Sequence, residues 1–419
     1  MNASLPLVVM QHQDMTSSLH RQRTVMLGAP QAHLHDLARL DERLSAHADG
    51  LAIAGAAATP VCEAALSSPS PGEVFTATVH ALMQRDGAFI ARLLSLVEAV
   101  PEARAGLDDA FGWVPASQLR GITKALLDSH VPSHRASGLR ACRHHGVDPA
   151  GLLDMATTDV DAGLRATAWH TAGALGRTDL LPAALRALSD PDEPVRFEAA
   201  RAALWFGDRH QAPAALHALA RAPGPWREAA LSCWAKVAAT ADVHALFKVL
   251  SAEPAAQRLL VRGAGLCGDP FYVPWLIRQM GVPALARPAG ESFTAITGAD
   301  LAALDLHGTT PEGFQAGPDD DPANPGVALD DDEDLPWPQA ERVAAWWSEN
   351  AARFTAGTPH LAGRPLTPRH ALDVLRDGGQ RQRQHAAEHL TLLQPGTPLF
   401  NTSAPAWRQQ RLAAELAGE

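Results

Sequence analysis

Lysine is scarce in this chain. Only Lys124, Lys236 and Lys248 occur among 419 residues, so nearly all positive charge is arginine, and the net charge is −11. A nucleic-acid binder shows a basic stripe that neutralises phosphates, and this balance argues against one. The excess of arginine over lysine is the bias of a GC-rich bacterial genome. Tyrosine is scarcer still, with Tyr272 alone. The four cysteines (Cys62, Cys142, Cys233, Cys267) form no CxxC pair, so buried free thiols are expected rather than disulfides or zinc ligands. The apolar start from Leu5 to Met10 contains Pro6, follows no basic residue, and is too short for a signal-peptide core or a membrane span. The expectation is a cytoplasmic protein with no membrane partner. No GxSxG or P-loop motif occurs, so neither a nucleophile elbow nor a P-loop phosphate cradle is in view.

What the chain does have is a period. Arg104, Arg135, Arg165, Arg196, Arg227 and Arg258 are separated by 31, 30, 31, 31 and 31 residues. A fixed period of that length marks a solenoid of stacked helical hairpins. Small residues recur three places after the anchors (Gly138, Ala168, Ala199, Ala230) and six places after (Ala141, Thr171, Ala202, Cys233, Ala264). At helical spacing they share one face and let neighbouring helices approach closely. Gly146, Gly176 and Gly207 stand eleven after their anchors, where a helix C-terminus needs a left-handed residue. Prolines ahead of most anchors fit helix starts. Each unit reads helix, glycine turn, helix. Arg287 and Arg383 head two weaker units.

The best-formed unit, Asp190-Pro-Asp-Glu-Pro-Val-Arg196-Phe-Glu-Ala-Ala-Arg-Ala-Ala-Leu204 with Trp205-Phe-Gly207, resembles the HEAT-like repeat first noted in phycobilisome lyases. The resemblance spans roughly residues 101–306 and implies the fold; as to function, such arrays scaffold, chaperone, hydroxylate and bind nucleic acid. HEAT-repeat hydroxylases hold two irons with His-Glu dyads, and this chain has no His-Glu dipeptide. HEAT-type DNA glycosylases need a cationic groove lined by Trp and Asp. Trp169, Trp205, Trp226 and Trp234 could supply the aromatics, but the charge is wrong. The six anchor arginines are expected to be structural, each bonded to a preceding carboxylate or to the neighbouring unit's loop. Asp161 and Asp192 stand four residues before Arg165 and Arg196, and the other anchors lack such an aspartate.

Outside the repeats, residues 1 to about 30 look irregular. A helix is expected from Gln31 to about Gly55 with Leu37, Leu40, Leu44 and Leu51 on one face, and two more from Glu73 to Val100. The domain division expected is a helical N-terminal cap (1–100), HEAT-like repeats (101–306), an acidic Pro/Gly-rich loop (307–338) and C-terminal helices with a last HEAT-like unit (339–419). Eight acidic and no basic residues lie between 319 and 334; without them the net charge would be −3. That loop reads as solvated and dispensable for folding, or as an acidic strap for an arginine-rich partner or for the protein's own concave face. Trp346 and Trp347, adjacent on a helix, are expected to pack into the core.

The stretch from Leu40 to Gly55 (LDERLSAHADGLAIAG) resembles the N-terminal signature of a proteobacterial family of uncharacterised HEAT-repeat proteins, as do Gly378 to Ala387 and Pro398 to Phe400 near the other end. Members of that family occur near type VI secretion genes for tip proteins and effectors, which implies an adaptor or chaperone. No catalytic residues carry over. Asp41, Arg43, His47 and Asp49 lie mostly off the leucine face, and Arg381 and Arg383 fall in a polar run at a helix start, so these six are the candidate partner-binding residues. His385, Glu388 and His389 have metal-ligand spacing, but no third ligand is recognisable and arginines adjoin them; no metal and no cofactor are expected. The reading is therefore an all-α HEAT-like helical-repeat solenoid. It would be a non-catalytic scaffold for another protein, a secreted effector or tip protein, with no nucleic acid bound. The alternatives are a nucleic-acid-binding or base-excising HEAT-repeat protein and, third, a lyase-like enzyme gripping a small cofactor.

Overall fold

The structure, a computed structural model, describes residues 6–314, 316–317 and 330–417. Apart from short 3-10 turns and one two-stranded hairpin, its regular elements are helices, and the fold is an all-α helical-repeat solenoid. The chain divides into two compact units. Unit 1 takes the described residues up to Gly207, with 379–381 and those from Pro395 onward; unit 2 takes 208–378 and 382–394. No described helix is long and apolar enough to cross a membrane.

Unit 1 begins with α1 (Pro6–Gly28), α2 (Leu34–Ala54), α3 (Thr59–Ala65), α4 (Pro71–Gln84) and α5 (Gly87–Ala99). Then come α6 (Arg104–Trp113), α7 (Ile122–Leu127), α8 (Pro132–His145), α9 (Gly151–Ala156), α10 (Ala162–Ala174), α11 (Leu181–Ala187) and α12 (Glu193–Trp205). Unit 2 holds α13 (Gln211–Arg221), α14 (Arg227–Ala235), α15 (Thr240–Leu250), α16 (Gln257–Cys267), α17 (Val273–Gln279), α18 (Pro283–Thr297) and α19 (Ala340–Asn350). It continues through β1 (His360–Leu361), β2 (Arg364–Pro365) and α20 (Pro368–Asp377) to α21 (Gln380–Leu393), which it takes from Gln382 on. The last helix, α22 (Ala406–Ala417), belongs to unit 1.

The expected irregular start is a helix of 23 residues. Its buried face is mostly polar (Gln13, Thr16, Ser17, His20 and Arg23, with Val9 and Leu19), while Leu7, Val8, Met10 and Val25 are exposed. A reading by apolar periodicity is blind to such a helix. Burial is tolerated because most of the polar groups are bonded, His20 Nδ1 being an exception. Ser17 Oγ meets Thr76 Oγ1 at 2.9 Å, His20 Nε2 meets Asp109 Oδ2 at 3.0 Å, and Arg23 Nε donates to Asp41 Oδ1 at 2.7 Å. In α2, Leu37, Leu40, Leu44 and Leu51 are buried as their spacing predicts.

Through the repeats a long first helix (α6, α8, α10, α12, α14, α16) alternates with a second. The small residues of the period let α10 and α12 lie close: Ala168, Ala172, Ala199, Ala202 and Ala203 are buried, and a Cβ on Gly173 would come within 2.8 Å of the Trp205 ring. The glycines after the first helices take left-handed φ, +65° at Gly146, +70° at Gly176 and +105° at Gly207. Gly176 carries a second constraint, since a Cβ there would sit 2.3 Å from the carbonyl oxygen of Gly396, whereas Gly146 has open space.

That contact belongs to a cover over the turns. In unit 1 the tail runs past successive first-helix ends: Pro395 lies against Gly207, Leu399 N donates to Ala174 O at 2.9 Å, and Arg408 Nη1 donates to Gly112 O at 2.8 Å. Unit 2 uses its hairpin in the same way, with His360 N donating to Gly268 O at 2.8 Å and Ala362 N to Ala295 O at 2.7 Å. Helix C-termini leave carbonyls without intrahelical donors, and these segments supply donors for them. All four cysteines are free and buried.

Candidate functional site

Each anchor arginine stands at or near the start of a first helix, and its side chain reaches into the loops beside it. Backward bonds go to carbonyls: Arg104 Nη2 to Val97 O at 3.3 Å, Arg196 Nη1 to Asp190 O and Pro191 O at 2.8 Å each, and Arg227 Nε to Ala220 O at 3.2 Å. Forward bonds go to a carboxylate in the loop one unit on. Arg135 Nη1 meets Asp159 Oδ2 at 2.8 Å and Arg227 Nη2 meets Glu253 Oε2 at 2.7 Å. Arg165 does both, bonding Asp159 O at 2.9 Å behind and gripping Asp190 with Nε and Nη2, at 2.9 Å each, ahead. The acceptor is thus the neighbouring loop. Asp161, before Arg165, instead caps α10 by accepting from Leu164 N at 2.7 Å.

Where Arg258 needs its forward carboxylate, the next loop has Val282 and Pro283 and no acid. The acid comes from the insertion instead. Arg258 Nη1 and Nη2 bond Asp332 Oδ2 and Oδ1 at 2.6 and 2.7 Å, and Arg287 pairs with Asp330. Asp332 is 3% exposed. The ends of the insertion are also tied, with Gly308 N donating to Trp337 O at 2.8 Å and Gln339 N to Leu306 O at 2.9 Å. The expectation of a merely solvated acidic loop is therefore corrected for Asp330 and Asp332, while Asp331, Glu333 and Asp334 are exposed. Its other acidic run, Asp319 to Asp321, lies outside the described residues.

The six candidate partner residues are not alike. Asp41 is 1% exposed, held by Arg23 and by Ala406 N at 2.7 Å, and Arg383 is 0% exposed with Nε donating to Leu375 O at 2.7 Å. Neither can touch a partner; burial pushes the Arg383 guanidinium down to about 10. Arg381 is half-buried and donates to Gly28 O at 2.6 Å. His47 is half-buried, its Nδ1 3.0 Å from His12 Nδ1, and burial followed by His12 and Arg43 lowers its pKa. Arg43 and Asp49 are exposed. Trp346 and Trp347 are each half-buried, against Phe293 and Phe354. In the His385–His389 segment, Glu388 is taken by the buried Lys236, and among the described residues no group of three or more His, Cys, Asp or Glu side chains could hold a metal ion.

A different set of side chains comes together in unit 1. Five places after their anchors stand Arg140, His170 and Arg201, on α8, α10 and α12. Arg143, one turn beyond Arg140, and Glu198, one turn before Arg201, share that face. All five are half-buried, and the residues on either side of Arg140, His170 and Arg201 are buried. Arg140 Nε lies 3.5 Å from Asp108 Oδ2, and its Nη2 donates to Thr167 Oγ1 at 3.3 Å. Glu198 pairs with Arg201 and lies 3.7 Å from His170 Nδ1. The Arg201 guanidinium stands 5.0 Å over the Trp205 ring. Burial, then Arg201, Arg143 and Arg140, hold His170 well below its usual pKa, so the imidazole is neutral. The sequence reading passed over this row because it followed the small residues three and six after each anchor; the signal was the polar fifth column between them.

No curated protein and no solved structure matches the chain. The family described as HEAT repeats matches residues 149–234, the stretch from α9 to α14. That stretch is therefore similar to HEAT repeats.

Proposed function

We propose that this protein is a non-catalytic scaffold that binds another protein through the polar row on the first helices of unit 1. HEAT repeats are generally protein-interaction scaffolds, and the observation that carries the reading is the row itself. Arg140, His170 and Arg201 are half-buried polar side chains at one repeated position, each between two buried neighbours. The turns at the other end of these helices are covered by the protein's own tail, and the anchors are engaged in their loops, which leaves this face for a partner. Within that reading the protein acts in the bacterial cytoplasm as an adaptor or chaperone for a partner made beside it, such as a secreted effector or tip protein. Nucleic acid is disfavoured, because Asp108 and Glu198 break the positive row and the chain carries −11 overall.

The test is affinity capture from the native host followed by mass spectrometry, run with the wild type and with an Arg140→Glu/Arg201→Glu variant whose helicity is checked. A protein retained specifically by the wild type and lost by a folded variant supports the reading. Equal retention by both moves the contact off this face.

A further inference from the structure

Arg143 differs from the ladder arginines: its side chain has no hydrogen-bonding or ion-pair partner among the described residues, though it sits among the charges of Arg140, Arg201, Asp108 and Glu198. Its two arginine neighbours each have one carboxylate, Asp108 for Arg140 and Glu198 for Arg201. Even so, Arg140 Nη1 and Arg201 Nε are buried with no hydrogen-bond partner. Three guanidiniums thus share two carboxylates. Burial, with the repulsion of Arg140 and Arg201 next, pushes Arg143 down to about 10. A guanidinium cannot shed its proton near neutral pH, so the mismatch persists in the protein alone. An arginine is half-buried without an acceptor at a folding cost, and Arg143 is still reached by solvent.

We propose that Arg143, flanked by Arg140 and Arg201, is the seat for one carboxylate of the partner, carried by an acidic segment. This rests on the scaffold reading and gives it a chemistry. One unpaired guanidinium calls for one anionic group, and its planar fork suits a carboxylate bidentately. The neutral His170 adds a polar wall that can turn donor or acceptor toward the incoming group.

The experiment uses the full chain at low salt, with calorimetric titration of three probes: an acetylated, amidated hexaglutamate, an acetylated tetra-alanine with a free carboxyl terminus, and inorganic phosphate. Hexaglutamate is expected to bind the wild type, and Arg143→Gln to weaken it about tenfold or more, with Arg143→Lys in between. Binding by the tetra-alanine in place of hexaglutamate would keep the carboxylate and assign it to a chain terminus. Binding of phosphate alone, or of no probe, overturns the seat. Without any probe, Arg143→Gln is expected to melt no lower than the wild type, since it relieves repulsion; a clear fall in melting temperature would make Arg143 part of the fold and overturn the proposal. A partner still captured by a protein that binds no carboxylate probe would remove the seat and leave the scaffold standing.

Discussion

An arginine can be placed by the number of groups it would strand. Arg165 satisfies two carbonyls behind it and the whole Asp190 carboxylate ahead, whereas Arg104 makes a single 3.3 Å bond to Val97 O. Burial alone would raise Asp190; the Arg165 bond and the Asp192 N–H outweigh it and hold the carboxyl below its usual range. Arg165→Ala is expected to cost about 1–3 kcal/mol by leaving these acceptors unpaired, and Arg104→Ala much less, as paired melting curves would read. Buried histidines set a second expectation. His389 is 7% exposed, and burial, then Lys236, lowers its pKa to about 3. The unfolded chain takes up that proton near pH 6.5 and the folded one does not, so this contribution is complete above that point and declines on acidification. At pH 5 the loss is about 2 kcal/mol for His389. The ladder carboxylates with lowered pKa, Asp159 and Asp190, act in a separate window below their unfolded pKa. Stability measured from pH 7 to 5 should therefore fall, and His389→Asn should flatten that slope.

At the scale of elements, the insertion behaves as part of the ladder. Asp332 completes a bidentate pair with Arg258 and is buried, while Asp334 in the same turn is exposed. Asp332→Asn is expected to cost about 1–3 kcal/mol of stability and so lower the melting temperature, and Asp334→Asn to leave it unchanged; equal effects would mean that only net charge matters. The repeat helices were legible because their cause is local: small residues at helical spacing, proline at the start, a left-handed glycine at the end. Position Gly176 looked like an ordinary turn, and its close approach to Gly396 is a tertiary fact that no spacing encodes. Helix α1 was illegible for the opposite reason, since its stabilising contacts are hydrogen bonds between polar side chains far apart in sequence, such as Ser17 with Thr76. The same blindness placed Asp41 and Arg383 among contact residues: a charge off the leucine stripe reads as exposed, and here each is buried with a partner on the preceding helix.

For the molecule as a whole, the recurring theme is a later stretch of chain closing turns made earlier. Unit 1 uses the segment from Pro395 on, and unit 2, taken by itself, uses the hairpin at His360 to Pro365. A solenoid repeat contacts only its neighbours, so such a cover adds the long-range contacts that hairpin stacking lacks. In unit 1, Arg408 makes three such bonds. It donates to Gly112 O at 2.8 Å, Val114 O at 3.3 Å and His144 O at 3.5 Å, tying α22 to the ends of α6 and α8. If the tail fastens these ends, Arg408→Ala should raise hydrogen exchange at the C-terminal turns of α6 and α8, while exchange in α14 and α16 of unit 2 stays as in the wild type. A cost of about 1–3 kcal/mol is expected, because three acceptors at buried or half-buried helix ends lose their donor. Faster exchange throughout both units would instead make Arg408 a general stability residue. Unchanged exchange would show that the tail merely rests on the turns, and the edge opposite the anchor loops would then be open to a partner after all.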